Sequence, residues 1–121
     1  MHRAIDRILI DRDSIADRVE QLGERLVHDL APVADAGNLV VMPVMTGSIF
    51  FTADLVRHLP LAFRILPITL SSYPGTSTSS LGHVEQVTAM PPDLEGRTVL
   101  VIEDILDSGR TLKYLNDALL A

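Results

Sequence analysis

Two uninterrupted apolar stretches, Leu39-Val40-Val41-Met42-Pro43-Val44-Met45 and Val99-Leu100-Val101-Ile102, constrain the fold of this chain more than any other feature. A strand with one wet face alternates polar and apolar residues, whereas a strand apolar at every position has both faces covered. Each stretch runs into a short polar loop and then into a helical pattern. Thr46-Gly47-Ser48 follows the first, with Ile49, Phe50, Ala53, Leu55 and Val56 behind it; residues 103–110 follow the second, with a helix over 111–121. Strands alternating with helices predict an α/β fold, a mostly parallel sheet flanked by helices. Ligands of such sheets sit outside the carboxyl ends of the strands. The loops after Met45 and Ile102 are therefore the places to look for chemistry.

The remaining segments fit around this frame. Ile15, Val19, Leu22, Leu26 and Leu30 recur at helical spacing and make one apolar face. Ser14 with Asp17 predicts a capping-box start, and Pro32 and Gly37 predict the exit. Residues 7–10 predict an edge strand, 61–70 a further strand, and 83–88 another. Between the last two, Ser71-Ser72-Tyr73-Pro74-Gly75-Thr76-Ser77-Thr78-Ser79-Ser80-Leu81-Gly82 has almost nothing to pack and predicts a long mobile loop. Residues 91–96 predict a turn. The 121 residues amount to one domain spanning 1–121, and 47% hydrophobic content with only 4% aromatics means an aliphatic core.

Composition removes several function classes. No cysteine is present, so disulfides and thiolate metal sites are excluded. A formal net charge of −6 offers no basic footprint for nucleic acid. The apolar stretches are far too short to span a bilayer, and the N-terminus lacks the apolar core of a signal peptide. These features predict a soluble cytoplasmic protein without nucleic-acid or membrane partners. The four histidines lack metal-ligand spacing, and Asp54 reads as a solvated helix residue.

The densest chemistry lies in Val99-Leu100-Val101-Ile102-Glu103-Asp104-Ile105-Leu106-Asp107-Ser108-Gly109-Arg110-Thr111-Leu112. A buried strand leads into two adjacent carboxylates, then a third, then Ser-Gly-Arg-Thr at a helix start. A helix N-terminus offers unpaired N–H groups and the positive end of the dipole. Gly109 lets backbone approach an anion closely, and Ser108 and Thr111 add hydroxyls. This composition suits a monophosphate cradle. Carboxylates would repel phosphate, so Glu103 and Asp104 are expected to face ribose hydroxyls, or magnesium through water.

This run resembles the 5-phosphoribosyl-1-pyrophosphate (PRPP) signature of the type I phosphoribosyltransferases, and two further segments resemble their hypoxanthine-guanine branch. The resemblance implies a Rossmann-like type I phosphoribosyltransferase fold. It implies that Glu103 and Asp104 hold the ribose hydroxyls and magnesium, that the loop of Asp107, Ser108, Gly109, Arg110 and Thr111 holds the 5′-phosphate, and that Asp107 is the general base at N7 of the incoming purine. Val44-Met45-Thr46-Gly47-Ser48-Ile49-Phe50-Phe51 is similar to the pyrophosphate loop of that branch, where the peptide is often a non-proline cis one; Thr46 stands where the family has Lys or Arg. Pro43 departs from the demands of a buried strand, because it lacks a ladder donor. Ser72-Tyr73 is similar to the Ser-Tyr pair of a catalytic flexible loop that closes over PRPP and excludes water.

The implied partners are PRPP, a purine base and a nucleoside monophosphate, with Mg²⁺ as cofactor and a homo-oligomer, dimer or tetramer, as the assembly. The implied reaction is transfer of ribose-5-phosphate to hypoxanthine or guanine with release of pyrophosphate. The family's purine pocket follows the PRPP helix. Here the helix bearing Leu112, Leu115, Leu119 and Leu120 stops at Ala121 without a glycine cap or polar exit, which predicts a form truncated at its C-terminus. The alternative reading is a non-catalytic, regulatory PRPP- or nucleotide-binding module on the same fold.

Overall fold

The computed structural model describes residues 6–73, 83–106 and 109–120. Helix α1 (Arg12–Asp35) leads into strand β1 (Leu39–Met45), helix α2 (Ile49–Val56), strands β2 (Arg64–Ile65), β3 (Ile68–Tyr73), β4 (His83–Gln86) and β5 (Thr98–Ile102), and helix α3 (Arg110–Leu120). β1 is the axis of the sheet. β5 pairs along one of its edges, parallel, from Leu39↔Thr98 to Pro43↔Ile102. The other edge is shared: β2 pairs at Val40 and Val41, and β3 pairs at Val44 and Met45, both parallel. β4 closes that side antiparallel to β3.

The pleat sorts the two apolar strands into two cores. Val41 with Leu100 and Ile102 faces α1 and α2, meeting Leu22, Leu26, Leu55 and Leu59. Met42 and Val44 with Val99 and Val101 face α3, meeting Leu115, Tyr114 and Ile68. Helices therefore cover both faces, which is why β1 carries no polar residue: six of its seven residues are buried. Gly23 lets α1 lie close to the end of α2, since a Cβ there would stand 2.5 Å from His58 Cβ.

Pro43 fits because of the divided edge. Thr98 N–H donates to Asn38 O, and Leu66 N–H donates to Val41 O. By the two-residue alternation of a parallel strand, Val41 and Pro43 direct their backbone groups away from β5. On that side Pro43 lies between the β2 pairs and the β3 pairs. The donor that proline lacks thus falls at the break between the two short pairings.

Several sequence expectations change. Residues 7–10 form no strand; Ile8, Leu9 and Ile10 are exposed. The cap of α1 is Asp11, whose carboxylate accepts from Ser14 N–H at 2.8 Å, so Ser14 is inside the helix and not its cap. Asp11 is held below the ordinary carboxylate range by that backbone hydrogen bond and by the Ser14 side chain. α1 also runs through Pro32, giving up one intrahelical bond. It ends at Gly37, φ +76°, where Asn38 N–H reaches Val33 O and Gly37 N–H reaches Ala34 O. This is the left-handed glycine exit of a Schellman turn. The strand expected over 61–70 divides into β2 and β3, and Ser71, Ser72 and Tyr73 belong to β3 and not to a loop. They pair with Glu85, Val84 and His83 of β4. The rest of the expected mobile loop, 74–82, lies outside the described residues.

Candidate active site

The parallel strands β1, β3 and β5 point the same way, so their carboxyl ends share one edge of the sheet. Three of the four sequence-picked segments arrive there: Thr46-Gly47-Ser48 after β1, Ser72-Tyr73 at the end of β3, and Glu103-Asp104 after β5. The last β1–β3 pair is Met45↔Thr69, so Leu70 to Tyr73 overshoot the sheet edge. At about 3.3 Å per residue this places Tyr73 roughly 13 Å beyond it.

The turn after β1 is tightly built. The Met45–Thr46 peptide is cis, as the resemblance implies. Ser48 is fully buried, and its hydroxyl donates to Val44 O at 2.7 Å. Its N–H also reaches Val44 O, at 3.3 Å, and Ile49 N–H reaches Thr46 O at 3.1 Å. Ser48 sits at the N-cap of α2 but its side chain caps nothing in the helix, because the hydroxyl is turned back toward the strand. Thr46 and Gly47 are exposed above this folded base.

Gly47 also meets the second loop. A Cβ on Gly47 would lie 2.8 Å from Asp104 Oδ2 and 3.2 Å from its Cγ. Only a residue without a side chain leaves the Asp104 carboxylate where it is, against the backbone of the turn. The sequence named both residues but gave no sign that they lie close. Their proximity comes from the pairing of β1 with β5, which sets the two strand ends side by side.

Beside Asp104, Glu103 is half-buried, and its Oε1 accepts from Asp104 N–H at 3.0 Å. Its carboxyl is pushed above the ordinary range, first by burial and then by the adjoining Asp104 carboxylate, against the lowering effect of the backbone N–H. Two adjacent acids, one of them resisting ionisation, make a site that gains from hydroxyl donors or a cation. Ile105 and Leu106 stand exposed after them. Asp107 and Ser108 lie outside the described residues. Beyond them Gly109 has φ +80°, a backbone that favours glycine. Its carbonyl accepts from Lys113 N–H at 2.9 Å. Arg110 opens α3, and Thr111 is half-buried in its first turn. No group of three or more His, Cys, Asp or Glu able to hold a metal ion occurs among the described residues.

A mostly parallel sheet covered on both faces, with a compact turn and an acid pair meeting at its carboxyl edge, defines a nucleotide-type α/β protein. The sequence matches the phosphoribosyl transferase domain over residues 11–121, and the chain belongs to that family. It is 34% identical over 119 residues to the hypoxanthine-guanine phosphoribosyltransferase of Lactococcus lactis, covering 98% of this chain and 62% of that protein. It is 37% identical over 117 residues to the bifunctional protein TilS/HprT of Listeria monocytogenes, covering 97% of this chain and 17% of that one. A hypoxanthine phosphoribosyltransferase from Staphylococcus aureus superposes with a TM-score of 0.84 at 31% identity, over 99% of this chain and 62% of that one. The Trypanosoma cruzi enzyme, solved with its product IMP, gives 0.80 at 30% identity, over 99% and 66%. The chain thus has the type I phosphoribosyltransferase fold and spans less than two thirds of these relatives' single-enzyme length. No helix among the described residues is long and apolar enough to cross a membrane.

Proposed function

We propose that this chain carries the PRPP half of a purine-salvage phosphoribosyltransferase, whose reaction moves ribose-5-phosphate from PRPP to N9 of hypoxanthine or guanine and releases pyrophosphate. The observation that carries the reading is the close approach of the Asp104 carboxylate to Gly47, where an added Cβ would lie 2.8 Å from Asp104 Oδ2. It joins a turn fit for pyrophosphate to an acid pair fit for ribose at one edge of the sheet.

In this reading Glu103 and Asp104 accept hydrogen bonds from the ribose hydroxyls. The segment of Asp107, Ser108, Gly109, Arg110 and Thr111 receives the 5′-phosphate at the N-terminus of α3, where the dipole and free N–H groups favour an anion. Thr46 and Gly47 offer backbone to pyrophosphate. Ser72 and Tyr73 carry the segment that covers PRPP and keeps water from the reacting ribose carbon. Asp107 takes the proton at N7 of the purine. Carboxylate oxygens are the hard donors magnesium prefers, and Glu103 and Asp104 would hold it through water. Bound magnesium would offset pyrophosphate charge. The same reading includes a homo-oligomer working in the cytoplasm.

One observation favours the non-catalytic alternative. Thr46 brings no charge to pyrophosphate where the family has Lys or Arg, so a module that binds nucleotide without turnover fits this turn. Calorimetry with PRPP and with IMP, with and without Mg²⁺, tests the site itself. Measurable magnesium-dependent binding, weakened by Asp104→Asn, is expected; no binding to either ligand would overturn the reading. A spectrophotometric assay with hypoxanthine, guanine and xanthine separates the two alternatives. Positioning of the acceptor base is worth roughly 7–11 kcal/mol of barrier. Turnover with any of the three bases supports the enzyme, and clear binding without turnover supports the non-catalytic alternative.

A further inference from the structure

A serine at a helix start ordinarily turns its hydroxyl oxygen toward an open N–H of the first helical turn. Ser48 does not; its side chain caps nothing in α2. It is fully buried, and its hydroxyl donates to Val44 O at 2.7 Å, where the Ser48 N–H also reaches at 3.3 Å. One carbonyl near the end of β1 thus receives both donors of the residue that closes the turn. Thr52, one helical turn further on and also buried, donates its hydroxyl to Ser48 Oγ at 3.4 Å and its N–H to Ser48 O at 2.8 Å. The Thr52 proton takes up the serine oxygen and leaves the serine proton for Val44 O, so the two hydroxyls run in one sense, from α2 toward β1.

Thr46 and Gly47 form the tip of the turn that this anchor closes. Both are exposed, and neither N–H donates to another described residue. Thr46 O accepts from Ile49 N–H at 3.1 Å, which fastens the tip on its helix side; the bonds to Val44 O fasten it on its strand side. Backbone N–H groups hold an oxyanion best when folding has already fixed them, because no ordering cost then falls on binding. We propose that Ser48 is a positioning residue: through Val44 O, and backed by Thr52, its buried hydroxyl fixes the Thr46–Gly47 backbone so that its N–H groups stand ready for the pyrophosphate of PRPP. The proposal rests on the reading of this turn as the pyrophosphate site. It also separates two ligands. A nucleoside monophosphate carries no pyrophosphate, so PRPP gains from the anchor and IMP does not. A serine that merely fastened α2 to β1 would, on removal, weaken both alike.

Calorimetry with PRPP and with IMP, both with Mg²⁺, and backbone amide NMR relaxation of the free chain test this. Ser48→Ala should weaken PRPP by about tenfold and IMP by less than about twofold. In the free chain the order parameters of the Thr46 and Gly47 amides should fall from about 0.85 toward about 0.6. Thr52→Val keeps the side-chain shape and removes the donor to Ser48 Oγ. It should move both readouts the same way by less, about threefold for PRPP, and Thr52→Ser should restore them. Equal weakening of PRPP and IMP by Ser48→Ala would overturn the proposal, as would unchanged PRPP affinity. Unmoved order parameters at Thr46 and Gly47 would also overturn it. They are read without ligand, so failure of the anchor is distinct from failure of the chain to bind PRPP.

Discussion

β1 and β5 look alike as sequence, apolar at every core position and each followed by a polar turn, yet they end in different surroundings. β1 has pairing along both edges, and Val40, Val41 and Met42 are wholly buried. β5 pairs on one edge, and of its four apolar residues only Ile102 is buried. Apolar content alone does not fix burial: β1 is paired along both edges, and β5 along one among the described residues. The two strands therefore separate the axis of the sheet from its less covered side.

The largest effect should fall on that contrast. Val41→Ala removes two wholly buried methyl groups and leaves a cavity, at a cost of roughly 2–3 kcal/mol in denaturant unfolding. Val101→Ala should cost less than about half of that, because its surroundings are partly solvent already. Equal costs would mean that β5 is covered in solution. Next comes the close approach of the two strand ends. Gly47→Ala should push the Asp104 carboxylate aside and weaken PRPP binding by about tenfold, or about 1.4 kcal/mol, with little change in stability. Unchanged affinity would show that the acid moves at no cost.

A smaller and opposite effect is expected at Glu103. Its carboxyl is raised above the ordinary 4.5, mainly by burial. The folded chain therefore takes up the proton more readily than the unfolded one. The stability this gives is present below the unfolded value and is lost as pH rises through the folded one. Glu103→Gln should raise the Tm at neutral pH, leave it unchanged in acid, and weaken PRPP binding; a lowered neutral Tm would contradict the burial argument. The smallest effect belongs to Asp11. Its carboxyl is lowered from 3.8 by the Ser14 hydrogen bonds, so its contribution is present above that value and lost as pH falls through the folded one. Asp11→Ala should lower the Tm by a few degrees at neutral pH and not at all in strong acid, as thermal melts at the two conditions would show.

Much of this was readable from the sequence because it depended on local pattern. Leu39–Met45 and Thr98–Ile102 declared buried strands by lacking polar residues, and α2 and α3 declared themselves by period. What failed to show depended on partners distant in the chain. Ser71, Ser72 and Tyr73 have loop composition, but a strand needs only backbone partners, and β4 supplies them. The apolar residues 8–10 suggested a strand, yet no neighbour pairs with them among the described residues. Pro43 had no rationale until the structure placed it at the break between the β2 and β3 pairings. Thr46, Gly47, Glu103 and Asp104 were picked out as residue types, but the close approach of Gly47 and Asp104 follows from strand order alone.

The diverted hydroxyl of Ser48 has a thermodynamic consequence. A serine in that position ordinarily satisfies one of the open donors of the first helical turn, and its loss elsewhere costs about 1 kcal/mol. Here the hydroxyl is spent on Val44 O, so α2 begins with donor capacity in reserve. An anion that settles over this turn then serves as the cap the helix lacks, and occupancy and helix stability become one equilibrium. Under such linkage the melting temperature is a property of the solution as much as of the chain. At a free anion concentration a hundred times its Kd, the folded state would gain about 2.7 kcal/mol, and the amides at the start of α2 would be among the first to report it.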